Sequence, residues 1–293
     1  MRVFVTGATG WVGRAVVAEL IGHGHGVIGL VRSPEKAQAL LAMGAEAQSG
    51  SLDDLDGLRA AAARADAVVH LGFNHDFSRY AENAAQDARA ITALGEALRG
   101  TSKPLLVTAT LSALRVPGRE ATEADVPVSD PAYLRRSEQA ARALSGVRTT
   151  SIRLPHSVHG VGEHHGFVPM LIDLARRTGV SAFLGDGANR WPAVHVTDAA
   201  RLYRLALEHG AAQPAYHAVG EEGVPFRDIA AAIGRKLNLP VAPREAAHFG
   251  WLAGFVGGDM VASSAATRQA LGWHPSGPSL LSDVVQPDYH SGA

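Results

Sequence analysis

The stretch "VFVTGATGWVGRAVVAELIG" (3–22) limits the fold more than any other part of the chain. Val3, Phe4 and Val5 form a short apolar run of strand-forming residues. It stops at three glycines, Gly7, Gly10 and Gly13, and is followed by a helical pattern that ends at Gly22. Glycines in G-x-x-G-x-x-G spacing between a strand and a helix answer three steric demands. The first allows a tight turn, the second lets backbone approach a pyrophosphate, and the third lets helix and strand pack closely. Unpaired N–H groups and the positive end of the helix dipole then face the phosphates. The turn, with Thr9, Trp11 and Val12 inside it, reads as a dinucleotide site.

The same alternation continues downstream. "GVIGLVR" (26–32) is a second buried strand, and "SPEKAQALLAMG" a second helix with Ser33 as N-cap and Pro34 at its first position. "AEAQSGS", "DAVVHLGF", "PLLVTAT" and "VRTTSIRLP" read as further strands, separated by helices that include 79–100 and 131–145. Strands alternating with helices predict an α/β fold, a doubly wound parallel sheet of the Rossmann type. After Pro155 the rhythm breaks into the loop "HSVHGVGEHHG", the helix "FVPMLIDLARRTG", and a helix "TDAARLYRLALEHG" with Thr197 placed as its cap. "AYHAVG" reads as a returning strand, and the rest as helix with a loop-rich tail. The expected division is a dinucleotide-binding domain from 1–153 plus about 196–220, and a smaller, discontinuous C-terminal substrate lobe from 154–195 plus 221–293.

Charge narrows the partners. Lys and Arg number 27 against 28 Asp and Glu, so there is no basic excess for nucleic-acid phosphates or an anionic membrane, and a small-molecule substrate is expected. The absence of cysteine excludes disulfides and thiolate metal sites. No apolar run approaches the roughly 18 residues of a membrane span. No signal peptide is read at Met1, and the expected location is the cytoplasm.

The end of the second strand discriminates between cofactors: an acid there binds a ribose diol, whereas a cation accommodates a 2′-phosphate. Here Arg32 is followed by Ser33, which points to NADP, with NAD as the alternative.

"TGATGWVG", "DAVVHLGF", "SIRLPHSVHG", "PAVHVTDAARLY" and "LGWHP", in this order, resemble the extended and atypical short-chain dehydrogenase/reductases, the NAD-dependent epimerase/dehydratase group, over nearly the whole chain. The resemblance implies cofactor contacts from Leu52, Leu71, Gly72, Phe73, Thr108, Pro155 and Ser157, besides the glycine turn. It also implies a Ser or Thr at the end of the fifth strand, here Thr110, that orients the substrate oxygen. A homodimer through helices 79–100 and 131–145 is implied as well.

The group's next element carries Y-x-x-x-K, in which the lysine holds the nicotinamide ribose and lowers the tyrosine pKa. In "PAYLRRSEQA" neither frame yields the pair: Tyr133 stands four residues before Ser137, and Leu134 four before Glu138. Arg136, three residues after Tyr133, is a candidate replacement cation. The other reading of Arg135, Arg136 and Glu138 is a solvated helix face.

With the proton relay in doubt, the histidines are the place to seek an acid: His156, His159, His164 and His165 in one loop, and His195 beyond it. His156 or His159 is expected to serve. No spacing matches a metal motif, so no metal is assigned. Trp11, Phe73, Phe77, Phe167, Trp191 and Trp251 suggest an apolar cleft wall. The reading is an NADP-preferring oxidoreductase for a small, fairly apolar carbonyl or alcohol. The alternatives are a non-catalytic nucleotide sensor and a sugar-nucleotide epimerase or dehydratase.

Overall fold

Val3, Phe4 and Val5 are completely buried because their strand is central. The computed structural model describes residues 1–114, 116–128 and 135–290, and of Phe77 only the backbone. In it β1 (Arg2–Thr6) is followed by α1 (Trp11–Gly22), β2 (Gly26–Val31), α2 (Pro34–Ala42), β3 (Glu46–Ser49), α3 (Leu55–Arg64), β4 (Ala67–His70), α4 (Tyr80–Leu98), β5 (Pro104–Thr110), α5 (Ser137–Arg142) and β6 (Arg148–Leu154). Then come β7 (Ser157–His159), α6 (Phe167–Thr178), β8 (Ser181–Phe183), β9 (Arg190–His195), α7 (Val196–Glu208), β10 (Ala215–His217), β11 (Glu221–Pro225), α8 (Phe226–Leu237) and β12 (Val241–Pro243). Four short helices close the chain: α9 (Ala246–Phe249), α10 (Ala253–Val256), α11 (Ala265–Leu271) and α12 (Leu280–Val284).

The main sheet has seven parallel strands in the order β10-β6-β5-β4-β1-β2-β3. The chain winds outward from β1 through β2 and β3, then crosses back to β4, β5 and β6. The crevice at the carboxyl ends of β1 and β4 is therefore the switch point at which such a sheet receives ligands. Alternation along β1 divides its side chains between two layers. Val3 and Val5 pack with Val16, Val17 and Leu20 of α1 and Leu202 and Tyr203 of α7, while Phe4 faces the layer of Leu58, Ile91 and Leu94 from α3 and α4. The doubly wound parallel sheet is thus the observed fold.

A separate apolar cluster joins Ile172 of α6, Trp191 of β9, Phe226 and Ile229 of α8, Leu280 and Val284 of α12, and Tyr289. Leu271 and Trp273, although in the segment read as substrate lobe, pack with the β1–α1 layer, where the Trp273 N–H donates to the Asp198 carbonyl.

Local expectations needed correction where elements are short. The loop after β6 contains β7, which pairs with β9, and the tail contributes β11 and β12. Segments of three to five residues are too brief for periodicity to declare them. The described part of helix 131–145 is only α5, beginning at Ser137, and residues 129–134 lie outside the described residues. The cap of α7 is His195 rather than Thr197: its ring accepts from the Thr197 N–H, because the helix starts one residue before that threonine. Ser33 does occupy the N-cap of α2, without a side-chain capping bond.

Glu163 ties the loop after β7 to the chain's far end by accepting from the Tyr289 hydroxyl at 2.5 Å. Burial pushes its carboxyl up to about 7, against the Tyr289 hydrogen bond and the charge of His159, which lower it, while Asp283 raises it further. The folded protein therefore holds this proton more tightly than the unfolded chain does. The resulting stability is complete below the ordinary carboxyl value near 4.5 and is lost as pH rises to about 7. The effect is on the order of 3 kcal/mol. Glu163→Gln, which keeps an acceptor but cannot ionise, is expected to melt progressively higher than the wild type as pH is raised from 5 to 8, with the difference closing toward pH 5. Parallel melting curves at both pH values would refute this coupling.

Candidate active site

The glycine turn closes against the strand beside it. Gly7 has φ +68°, and a Cβ there would stand 2.7 Å from the Gly72 nitrogen; one on Gly13 would stand 2.0 Å from the Gly7 oxygen. Both positions require glycine. The Gly10 N–H donates to the Gly7 carbonyl at 2.9 Å, and as N-cap of α1 Gly10 offers no side chain to the first helical turn. Those amides are left for a ligand. Thr9 and Val12 are half-buried beside them. The Trp11 indole N–H donates to the Val158 carbonyl at 2.6 Å and ties the turn to β7. Leu52 lies against Gly72, and the Leu71 N–H donates to the Thr6 carbonyl. Arg32, at the end of β2, is exposed and forms no ion pair among the described residues, and Ser33 is half-buried next to it.

Behind this turn runs a buried chain of polar groups. The Gly72 N–H donates to Thr6 Oγ1 (3.1 Å), Thr6 Oγ1 meets His70 Nδ1 (2.8 Å), and His70 Nε2 meets Asp87 Oδ1 (3.0 Å). The Ser137 hydroxyl donates to Asp87 Oδ2 (2.5 Å) and accepts from Arg135 Nε (3.1 Å). With the ring hydrogen on Nε2 and Nδ1 accepting from Thr6, every donor meets an acceptor. Burial raises the Asp87 carboxyl, but the hydrogen bond from His70, the charge of Arg135 and the hydrogen bond from Ser137 hold it below the usual range.

The two arginines differ in burial. Arg136 is exposed, whereas Arg135 is half-buried, its guanidinium carbon 4.1 Å from the centre of the Phe73 ring and its Nη2 3.4 Å from the Thr108 carbonyl. The reason is local: both residues precede α5, so helical spacing does not govern them. Nor is the segment a solvated face, because Glu138 is buried in an ion pair with Arg153 at 2.6 Å. Tyr133 lies outside the described residues.

Thr110 stands at the carboxyl end of β5, its hydroxyl 2.7 Å from that of Ser112. Thr108 is turned inward, donating to the His70 carbonyl and meeting the Tyr203 hydroxyl at 2.7 Å. Beyond β6, Pro155 and Ser157 are buried, and Ser157 Oγ and His156 Nδ1 have no hydrogen-bond partner among the described residues. The His156 ring stacks on Trp191 at 5.3 Å, and burial pushes it down to about 4, so it holds no extra proton near neutrality. His159 is buried, its Nδ1 bonded to Asp283 at 2.6 Å, and His195 is half-buried 5.6 Å from it. These two histidines belong to the joint with α12. His164 and His165 are exposed. Among the described residues no group of three or more His, Asp or Glu is arranged to hold a metal.

The residues present fit the dinucleotide expected from the sequence. The cradle at Gly7 and Gly13 leaves no room for a side chain, the first turn of α1 is uncapped, and two buried polar atoms beyond β6 await a partner. Sequence reasoning did not single out Thr6, His70, Asp87 and Ser112, which the structure places beside the crevice, and it named Arg136, whereas Arg135 is the arginine turned inward. One available signal was an aspartate at position 87 on the inward face of an alanine-rich helix. Gly13→Ala is expected to lower stability by about 1–3 kcal/mol, since backbone must move, and to abolish dinucleotide binding. Urea midpoints and calorimetric titration measure the two effects.

The model of the NAD-dependent epimerase/dehydratase family matches residues 3–219. An uncharacterized protein of Schizosaccharomyces pombe is 47% identical over 99% of this chain and 100% of its own length. A 4-hydroxy-2-methyl-3-oxo-4-farnesyl-3,4-dihydroquinoline-1-oxide ketoreductase of Stigmatella aurantiaca is 28% identical over 85% of this chain and 80% of its own. The UDP-glucose 4-epimerase of Thermus thermophilus, solved with NAD, superposes with a TM-score of 0.74 at 21% identity, covering 97% of both chains. No helix among the described residues is long and apolar enough to cross a membrane. The glycine cradle, the switch-point crevice and the match over residues 3–219 lead to one statement of kinship: the chain belongs to the NAD-dependent epimerase/dehydratase family, whose members work with a nicotinamide dinucleotide.

Proposed function

We propose that the protein is an NADP-preferring oxidoreductase acting on a small, fairly apolar carbonyl or alcohol. The observation that carries this reading is the hydroxyl pair of Thr110 and Ser112 at the carboxyl end of β5, beside the switch-point crevice. Hydroxyls there can donate to a carbonyl oxygen as it gains negative charge. A nicotinamide dinucleotide, when bound, supplies or accepts the hydride. The chain's own part is to hold phosphates on the amides of 11–13, to seat a 2′-phosphate against Arg32 and Ser33, and to orient the substrate oxygen on Thr110. Tyr133 is assigned the proton at that oxygen, and the amide group of the cofactor is assigned to Pro155, His156 and Ser157. The ketoreductase relative, named for a farnesylated quinoline, supports an apolar substrate over a sugar nucleotide.

A second reading is favoured by one observation. In the frame that sets Tyr133 at the family's tyrosine, Ser137 takes the lysine position, and its hydroxyl is bound to Asp87, so no amine stands there to assist a tyrosine. A nucleotide sensor without turnover has this appearance.

The expected result is a larger rise in melting temperature with NADPH than with NADH, and loss of nicotinamide absorbance with a panel of ketones, aldehydes and enones. A rise without consumption favours the sensor, and a rise only with UDP- or GDP-sugars favours an epimerase or dehydratase. Arg32→Ala is expected to weaken NADPH binding about tenfold while sparing NADH. Thr110→Val is expected to lower kcat about a hundredfold. Unchanged turnover in Tyr133→Phe would remove that phenol from the scheme.

A further inference from the structure

Arg135 is the least explained charge in the crevice. Its Nε is bonded to Ser137 and its Nη2 sits 3.4 Å from the Thr108 carbonyl, which leaves three N–H donors without partners among the described residues. It makes no ion pair with a carboxylate among them. Asp87, the acid that senses its charge, already gives one oxygen to His70 and the other to Ser137. His75 is pushed down from the ordinary imidazole value by burial and by the charges of Arg135 and His165.

The guanidinium is also held in place. Phe73 lies beneath it at 4.1 Å, and Ser137 is fixed by the buried chain that runs through Asp87 and His70 to Thr6. A planar cation that cannot lose its proton, with free donors on one edge and an aromatic ring under its face, suits a carboxylate. The Phe73 ring, 5.8 Å from that of Tyr80, gives this side of the crevice an apolar face.

We infer that Arg135 forms the carboxylate subsite of the substrate pocket, so that the substrate is an oxo acid or hydroxy acid with an apolar body. This rests on the oxidoreductase reading for the words oxo and hydroxy, but the carboxylate subsite itself does not depend on turnover. Ser137 acts through Arg135 and is a positioning residue.

The test is calorimetric titration of hexanoate into the full-length protein, with and without saturating NADP⁺, using hexanamide as the uncharged control. The wild type is expected to bind hexanoate about tenfold or more tightly than hexanamide. Arg135→Gln removes that difference and leaves NADP⁺ affinity within about twofold, Arg135→Lys is intermediate, and Ser137→Ala weakens hexanoate without affecting hexanamide. Circular dichroism of each variant checks that it folds. Equal binding of hexanoate and hexanamide by the wild type overturns the proposal. So does an Arg135→Gln variant that loses NADP⁺ affinity but keeps hexanoate, because the arginine would then serve the cofactor. If no nicotinamide cofactor binds, the oxidoreductase reading fails by itself, and titration of the cofactor-free protein still decides the subsite.

Discussion

The carboxylate of Asp87 is the constraint around which the active crevice is organised. It is almost fully buried on α4, and a buried charge persists only when its oxygens are fully engaged. One oxygen takes His70 from the end of β4 and the other takes Ser137 from the start of α5. Through His70 the chain reaches Thr6 at the end of β1, and through Thr6 the amide of Gly72. Two central strands, two helices and the floor of the glycine cradle are therefore coupled to a single negative charge.

That coupling accounts for the departure from Y-x-x-x-K. A lysine at position 137 would have to leave the hydroxyl's place against Asp87 and carry a long side chain from a position only 2% exposed. A serine fits, and the half-buried guanidinium of Arg135 comes from two residues earlier, where the chain has not yet entered the helix. Glu138 is committed on the other side. It pairs with Arg153, which is completely buried and whose Nη1 lies 3.0 Å from His217 Nε2; burial and the Arg153 charge push that imidazole down to about 4. Two consecutive residues of α5 thus anchor two separate buried networks. The sequence "RRSE" looks like a solvated surface, yet only Arg136 is exposed.

The histidine loop after β6 obeys a different logic. His156, with its unpartnered Nδ1, lies on Trp191 within an aromatic group, while His159 and His195 meet Asp283 at the joint with α12. A loop with four histidines therefore serves at least two purposes: one ring stacks on Trp191, one is braced against Asp283, and two are exposed. Chemical type alone did not separate them, because burial and partners decide whether an imidazole is a base, a brace or a surface group.

The sequence by itself determined the fold class and the nucleotide cradle. Those depend on short-range features that are written linearly: runs of buried strand residues, helical spacing, and glycines at positions where backbone meets backbone. It also located the site of departure, since the lack of lysine at 137 is legible in ten residues. Only the tertiary structure decided which arginine turns inward and why. Asp87 and Ser137 are fifty residues apart, and Thr6 and His70 sixty-four. Their contact arises from parallel strand register and helix packing, neither of which any local pattern encodes. The three-residue strands and the cap of α7 were settled at the same level, by partners distant in the chain.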